Sequence, residues 1–454
     1  MRVCHDVTAV FDDPNLVSCA GLAPVLQLAE RAGLQQLVAD HVKIDKPGGA
    51  NAQLKIPALI AGMVAGADSI DDMALLRHGG MGRLFCGVRA PSTLGTFLRS
   101  FTFGHVRQLD AVASRLLIGL AGQAPLLPGA AELAYVDVDD TVRQTYGYAK
   151  QGAGRGYTGT KGLNALLAVV STPSSAPVIA AARLRKGSTN SARGAARLVA
   201  DALVTAKSAG ATGLRILRAD SAFYNHDVIA AAGRQGACFS ITARQDHAVR
   251  KAIAGIDAGA WTPIKYTNAI FDAGQQRWIS DAEVAEVTYT AFTSKPKAKQ
   301  VTARLIVRRV KDMNPANQSE LFTAYRYHAV FTDSPLPTLT AESTHRAHAI
   351  VEQVIADLKN GPLAHLPSGH FWANSAWLVC ASIAFNLTRA AGALASAFHA
   401  KATTGTIRAH LITVPARHAR SARRLRLHLP QHWPWQHAWQ QLSDATLGPP
   451  TTRT

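Results

Sequence analysis

The chain has 454 residues, 48% of them hydrophobic, which excludes global disorder and leaves room for two or three domains. Its 48 Lys and Arg against 30 Asp and Glu give a net charge of +18 and a pI near 10.0, a balance that favours a polyanionic partner, nucleic acid before an anionic membrane surface. The five cysteines (Cys4, Cys19, Cys86, Cys238, Cys380) are scattered and hold no C-x-x-C pair, which argues against a disulfide framework or a zinc finger and suits a reducing cytosol.

The chain opens without the charged and apolar regions of a signal peptide, and apolar runs such as Ala376–Phe385 are too short to span a bilayer. A cytoplasmic protein without membrane contact is expected. Residues 1 to about 122 read as helical: Leu22–Val42 and Phe103–Leu120 carry apolar residues at three- and four-residue spacing. Pro91–Arg99 reads as a short helix, either beside a helix-turn-helix or in a plain bundle. Gly122–Gly129 (GQAPLLPG) reads as a linker.

Strands are expected at Leu133–Tyr146, Gly162–Ser171 and Ala176–Leu184. A helix over Asn190–Ala209 follows, then a strand at Gly213–Ala219, a helix at His226–Arg234 and a strand at Ala237–Thr242. This is the element order of a ribonuclease-H-like core. From about 260 to 335 aromatic and β-branched residues dominate (WTPIKY, AEVTYTAFT, VTARLIVRRV, LFTAYRYHAVFT), which predicts a β-rich insertion. Thr344–Leu358 and Ala373–Ala393 read as helices. The tail holds Arg408, Arg417, Arg420, Arg423, Arg424 and Arg426, and as a helix it would put Arg417, Arg420 and Arg424 on one face, available to phosphate.

YVDVDDTV, Tyr135–Val142, puts three aspartates into a strand of a basic protein. Asp137 and Asp139 share one face and Asp140 takes the other. Two carboxylates on one face repel unless a cation joins them, and a divalent metal is one such cation. Asp220 in LRADSAFY stands at the C-terminal end of a buried strand, where α/β sheets commonly place active groups. In HRAHAIVEQVIADLK an ideal helix gathers His345, His348, Glu352 and Lys359 within roughly 60° of one another, apart from the apolar face of Ile350, Val351, Val354, Ile355 and Leu358. Carboxylates from two strands and a helix suit two-metal phosphoryl transfer with Mg²⁺ or Mn²⁺. The bland readings are salt-bridged or capping aspartates and a surface ion pair. GRGYTG, Gly154–Gly159, matches a dinucleotide fingerprint only literally, because a strand follows it and no acidic residue stands about 20 positions on. No P-loop sequence occurs, so no nucleotide cofactor is implied.

Taken together, the D-x-T of Asp139–Thr141, LRADSAF around Asp220, E-x6-K at Glu352 and Lys359, NLTRAAG from Asn386 and the Pro-Trp-rich tail resemble the bacterial insertion-sequence DDE transposases, most closely the 1380 family of the IS4-like group. The resemblance spans essentially the whole chain. It implies an α/β protein with a ribonuclease-H-like catalytic core (130–255 and 341–400), interrupted by a β-rich insertion (256–340). A helical N-terminal region for DNA binding or dimerisation (1–125) would precede the core, and a helical basic tail (401–454) would follow it. It implies that Asp139, Asp220 and Glu352 bind two Mg²⁺ or Mn²⁺ ions, with Asp137 a competitor for the first position, and that Lys359 contacts phosphate. His345 and His348 stand where the family group often has Tyr and Arg. Double-stranded DNA, as terminal inverted repeats and as target, would be the partner of a homodimer. A nuclease without strand transfer and a non-catalytic DNA-binding descendant are the competing readings.

Overall fold

The structure, a computed structural model, describes residues 1–147, 149–156, 159–267, 269–311, 325–421 and 424–448. The chain forms two compact units, one of residues 1–125 and 357–454, the other of residues 126–356.

The first unit begins with β1 (Leu16–Val17), α1 (Leu22–Arg31) and α2 (Leu34–His41). Leu22–Val42, expected to be helical, forms two helices, divided by Gly33 at φ +88° in a left-handed conformation that glycine adopts without Cβ strain. After α3 (Ala52–Ala65) and α4 (Met81–Leu84), α5 spans Pro91–Arg99 as expected, with Pro91 in its first turn. It buries Leu94, Phe97 and Leu98. α6 (Phe103–Gln123) starts at a capping box between Thr102 and His105.

In the second unit, β2 (Leu133–Gln144), β3 (Gly154–Arg155), β4 (Lys161–Ser171) and β5 (Val178–Lys186) come first. α7 (Ala195–Ser208) crosses to β6 (Leu214–Ala219), and α8 (His226–Arg234) to β7 (Cys238–Thr242). β4 pairs antiparallel with both β2 and β5, whereas β6 pairs parallel with both β2 and β7. The resulting order β5-β4-β2-β6-β7 is that of the expected ribonuclease-H-like core. Of the GRGYTG stretch, Gly154 and Arg155 form β3, and Tyr157 and Thr158 lie outside the described residues.

α9 (His247–Ala254), β8 (Thr262–Pro263) and the small hairpin of β9 (Ile270–Asp272) and β10 (Arg277–Ile279) lead to β11 (Ala282–Ala291), β12 (Val301–Lys311) and β13 (Tyr325–Thr332). Leu321–Ala324 of the expected strand LFTAYRYHAVFT lie outside the described residues. β13 pairs antiparallel with β7 at Val330–Thr242, Phe331–Ile241 and Thr332–Ser240. The β-rich segment therefore continues the core sheet, which holds ten strands among the described residues. Phe331 seals the junction, its ring 5.2 Å from that of Phe239.

Thr344–Leu358 is not one helix. α10 (Thr338–Arg346) ends, Ala347–Ala349 tighten into a 3₁₀ turn, and α11 (Ile350–Lys359) follows. Helical-wheel angles cannot be carried across such a turn, because its rotation per residue differs from that of an α-helix.

The first unit resumes with α12 (Phe371–Ala395), which packs against α6 and α3. α12 is long and apolar enough to cross a membrane, yet 89% of its most apolar window is buried, as in a core helix. α13 (Ala397–Lys401), α14 (Thr404–Ile407), β14 (Ala416–Ser421), β15 (Arg424–His428) and α15 (Gln436–Leu447) complete the chain. Here the expected helical tail is corrected: β14 and β15 are strands that pair antiparallel, from Arg417–His428 to Ser421–Arg424. Arg417 and Arg420, three residues apart, share a helical face but lie on opposite faces of a strand.

Candidate active site

The parallel register of β2 and β6 pairs Asp137 with Arg218 and Val138 with Ala219. One step further along the two strands stand Asp139 and Asp220. Asp220 follows the last residue of β6 and caps the turn Ser221–Phe223, its Oδ1 accepting from the Ala222 N–H at 3.0 Å. Asp139 is half-buried, and its Oδ1 accepts from the Asp140 N–H at 2.7 Å. Burial pushes the Asp139 carboxyl up to about 6, and the charge of Asp220 adds to the effect while the Asp140 N–H and His348 oppose it. Asp220 is open to water, yet desolvation by the surrounding protein raises its carboxyl too, against the Ala222 N–H and His348.

The two neighbouring aspartates have partners of the opposite charge. Asp137 is fully buried, and Arg218 Nε and Nη2 donate to its two oxygens at 2.7 Å each. His348 Nδ1 lies 3.0 Å from the same carboxylate, and the Arg218 guanidinium stacks 3.9 Å from the ring centroid of Tyr135. On the other face, buried Asp140 accepts from Arg185, from Asn164 Nδ2 at 2.7 Å and from Ser191 Oγ at 3.1 Å. Asp137 and Asp140 are thus neutralised by arginines. Asp139 and Asp220 are adjacent hard oxygen donors with raised pKa values, a pair that fits a divalent cation.

The helix-borne residues separate at the 347–349 turn. His345 is buried between Ser240 Oγ and Thr242 Oγ1, each 3.0 Å from a ring nitrogen. Burial drives its pKa down to about 3, so at neutral pH it is an uncharged packing group. The reading of His345 as a phosphate contact is corrected on that ground. His348 remains beside the carboxylates. Glu352 sits exposed in the first turn of α11 and Lys359 in its last turn. Among the described residues no three His, Cys, Asp or Glu side chains are grouped as metal ligands. Arg417 and Arg420 are exposed on β14, Arg424 begins β15, and Arg423 lies outside the described residues.

Two functional neighbours escaped the sequence reading, Arg218 and Arg185. Neither stands out in its strand, because β6 also carries Arg215 and β5 also carries Arg183 and Lys186; only the fold shows which arginine meets a buried acid.

The strand order is that of a ribonuclease-H-like core, with the Asp139 and Asp220 carboxylates side by side at its central strands. The family described as Transposase DDE domain group 1 matches residues 3–446, and the chain belongs to this family of DNA transposases. No curated protein matches the chain. Among solved structures, the chain is similar to piggyBac transposase in a cryo-EM synaptic complex with hairpin DNA, at 10% identity and a TM-score of 0.40, covering 88% of this chain and 79% of that one.

Proposed function

We propose that the protein binds the terminal inverted repeats of its own element, cuts the DNA there and joins the freed 3′-hydroxyl ends to a target duplex, acting as a homodimer that holds two ends. The observation that carries this reading is the Asp139–Asp220 pair, Asp139 in mid-β2 and Asp220 just past the end of the adjoining strand β6, in a chain of this family. Asp139, Asp220 and Glu352 are the acidic set that would hold two Mg²⁺ or Mn²⁺ ions. Ions bound there supply Lewis-acid stabilisation of the attacking and leaving oxygens. The chain's own residues do the rest. Arg218 and Arg185 neutralise Asp137 and Asp140, so the carboxylates without such partners are Asp139 and Asp220. His348, beside both, presents a ring N–H to phosphate. Lys359, seven residues after Glu352, is assigned a phosphate contact.

The test is Mg²⁺-dependent cleavage of DNA carrying the element's ends, wild type against Glu352→Gln, followed by strand transfer. Cutting by wild type and binding without cutting by the variant is expected. Equal cutting by both removes Glu352 from the acidic set. Cutting without joining by wild type reduces the protein to a nuclease.

A further inference from the structure

β1, β14 and β15 form a three-stranded antiparallel sheet within the first unit, and its two faces differ most at the β1 end, since Arg420 and Leu425 on the more buried face are exposed. The register places Val17 opposite Ala416 and His418 opposite Leu427. Val17, Ala416 and His418 are buried. That face packs closely: a Cβ on Gly80 would come within 2.5 Å of the His418 ring. The register places Leu16 opposite Arg417, Arg417 opposite His428, and Ala419 opposite Arg426. All five residues of this second face are exposed.

Two arginines and a histidine on one open sheet face are a local concentration of cationic groups and ring N–H donors. Arg417 and Arg426 are diagonal neighbours across β14 and β15, about 7–8 Å apart on such a face, close enough for one polyanion to meet both. Asp13 answers only one of them, its Oδ2 accepting from Arg417 Nε at 3.1 Å, with the Arg417 side chain still 65% exposed. A two-stranded antiparallel ribbon fits the major groove of a DNA duplex. We propose that β14–β15 is a DNA-binding ribbon whose Arg417, Arg426 and His428 face lies along the duplex, with Arg420 on the opposite face taking no part. The proposal draws on the transposase reading only for its choice of DNA as the polyanion.

The experiment measures binding of full-length protein to a 30-base-pair duplex (~30, chosen to exceed one ribbon footprint) across a salt series. Arg417→Ala/Arg426→Ala is expected to lose about tenfold or more in affinity near 0.1 M salt and to flatten the salt slope by about 2. Arg420→Ala is expected to bind like wild type, the double lysine variant to retain most affinity, and Asp13→Asn to bind more tightly. An unchanged affinity and slope in the double alanine variant overturns the ribbon. So does an equal loss in Arg420→Ala, which would mean general surface charge only. End cleavage by wild type beside either overturning result leaves the transposase reading standing. Loss of binding in the double variant of a protein that never cuts leaves the ribbon standing and removes the transposase reading.

Discussion

Asp137 and Arg218 meet as a closed, two-pronged ion pair across the parallel strands β2 and β6, with side chains 0% and 2% exposed. The guanidinium has a third partner in the Thr344 carbonyl, which accepts from Nη1 at 2.6 Å. This pair ties the central strands to the segment that leads to His348. Asp137→Ala leaves a buried guanidinium without its carboxylate and is expected to lower stability by about 3–5 kcal/mol, measured by chemical denaturation. Wild-type stability in that variant would mean that the pair does not hold the sheet.

Asp139 behaves in the opposite sense. Its carboxyl is ordinary near 3.8 in an unfolded chain and about 6 in the folded one. Between those values the folded protein keeps a proton that the unfolded chain has released, so the site's contribution to stability falls as pH rises through that window. Above it the penalty persists. Asp139→Asn is expected to melt a few degrees above wild type at pH 7.5, on the order of 1–3 kcal/mol, with the advantage vanishing below about pH 4. A lower Tm at pH 7.5 would contradict the assigned direction.

Divalent cations should reverse that penalty. In the absence of DNA, Mg²⁺ at a hundredfold excess over its Kd stabilises the fold that binds it by about 2.7 kcal/mol. Millimolar Mg²⁺ is therefore expected to raise the Tm of wild type and to have a smaller effect on Asp139→Asn and Asp220→Asn. An equal rise in all three would locate the ion elsewhere.

His345 is a packing residue in this structure. His345→Ala deprives the hydroxyls of Ser240 and Thr242 of a partner, and a cost of about 1–3 kcal/mol is expected. The salt dependence of DNA binding should stay that of wild type. A slope reduced by about 1 would restore a phosphate contact to this position.

Much of the core was legible because its signals are local. Strands β2, β4, β5, β6 and β7 and helix α8 lie within a few residues of the expected ranges, since alternation and apolar runs report burial directly. The pairing of β13 with β7 was not legible, because it joins Phe331 to Ile241 across 90 residues and no pattern in either strand names its partner. A period carried along the chain does not show where a helix breaks. The apolar spacing of Leu22–Val42 says nothing of Gly33 turning left-handed, and the spacing of His345 to Lys359 says nothing of the 347–349 turn. In the tail, Arg424-Leu425-Arg426-Leu427-His428 is a period-two pattern inside a basic run, which suits a strand rather than the expected helix. At the site, motif alone singles out Asp139 and Asp220. The partners that separate them from Asp137 and Asp140 come from strands remote in sequence.

The antiparallel strands β11–β13 also protect the fold. Without them β7 would be a bare outer strand, its main-chain groups open to any passing chain, and Phe239 would lose the ring of Phe331. A deletion of 256–340 would not release a smaller working core. It would expose a sticky seam, and the shortened protein is expected to precipitate.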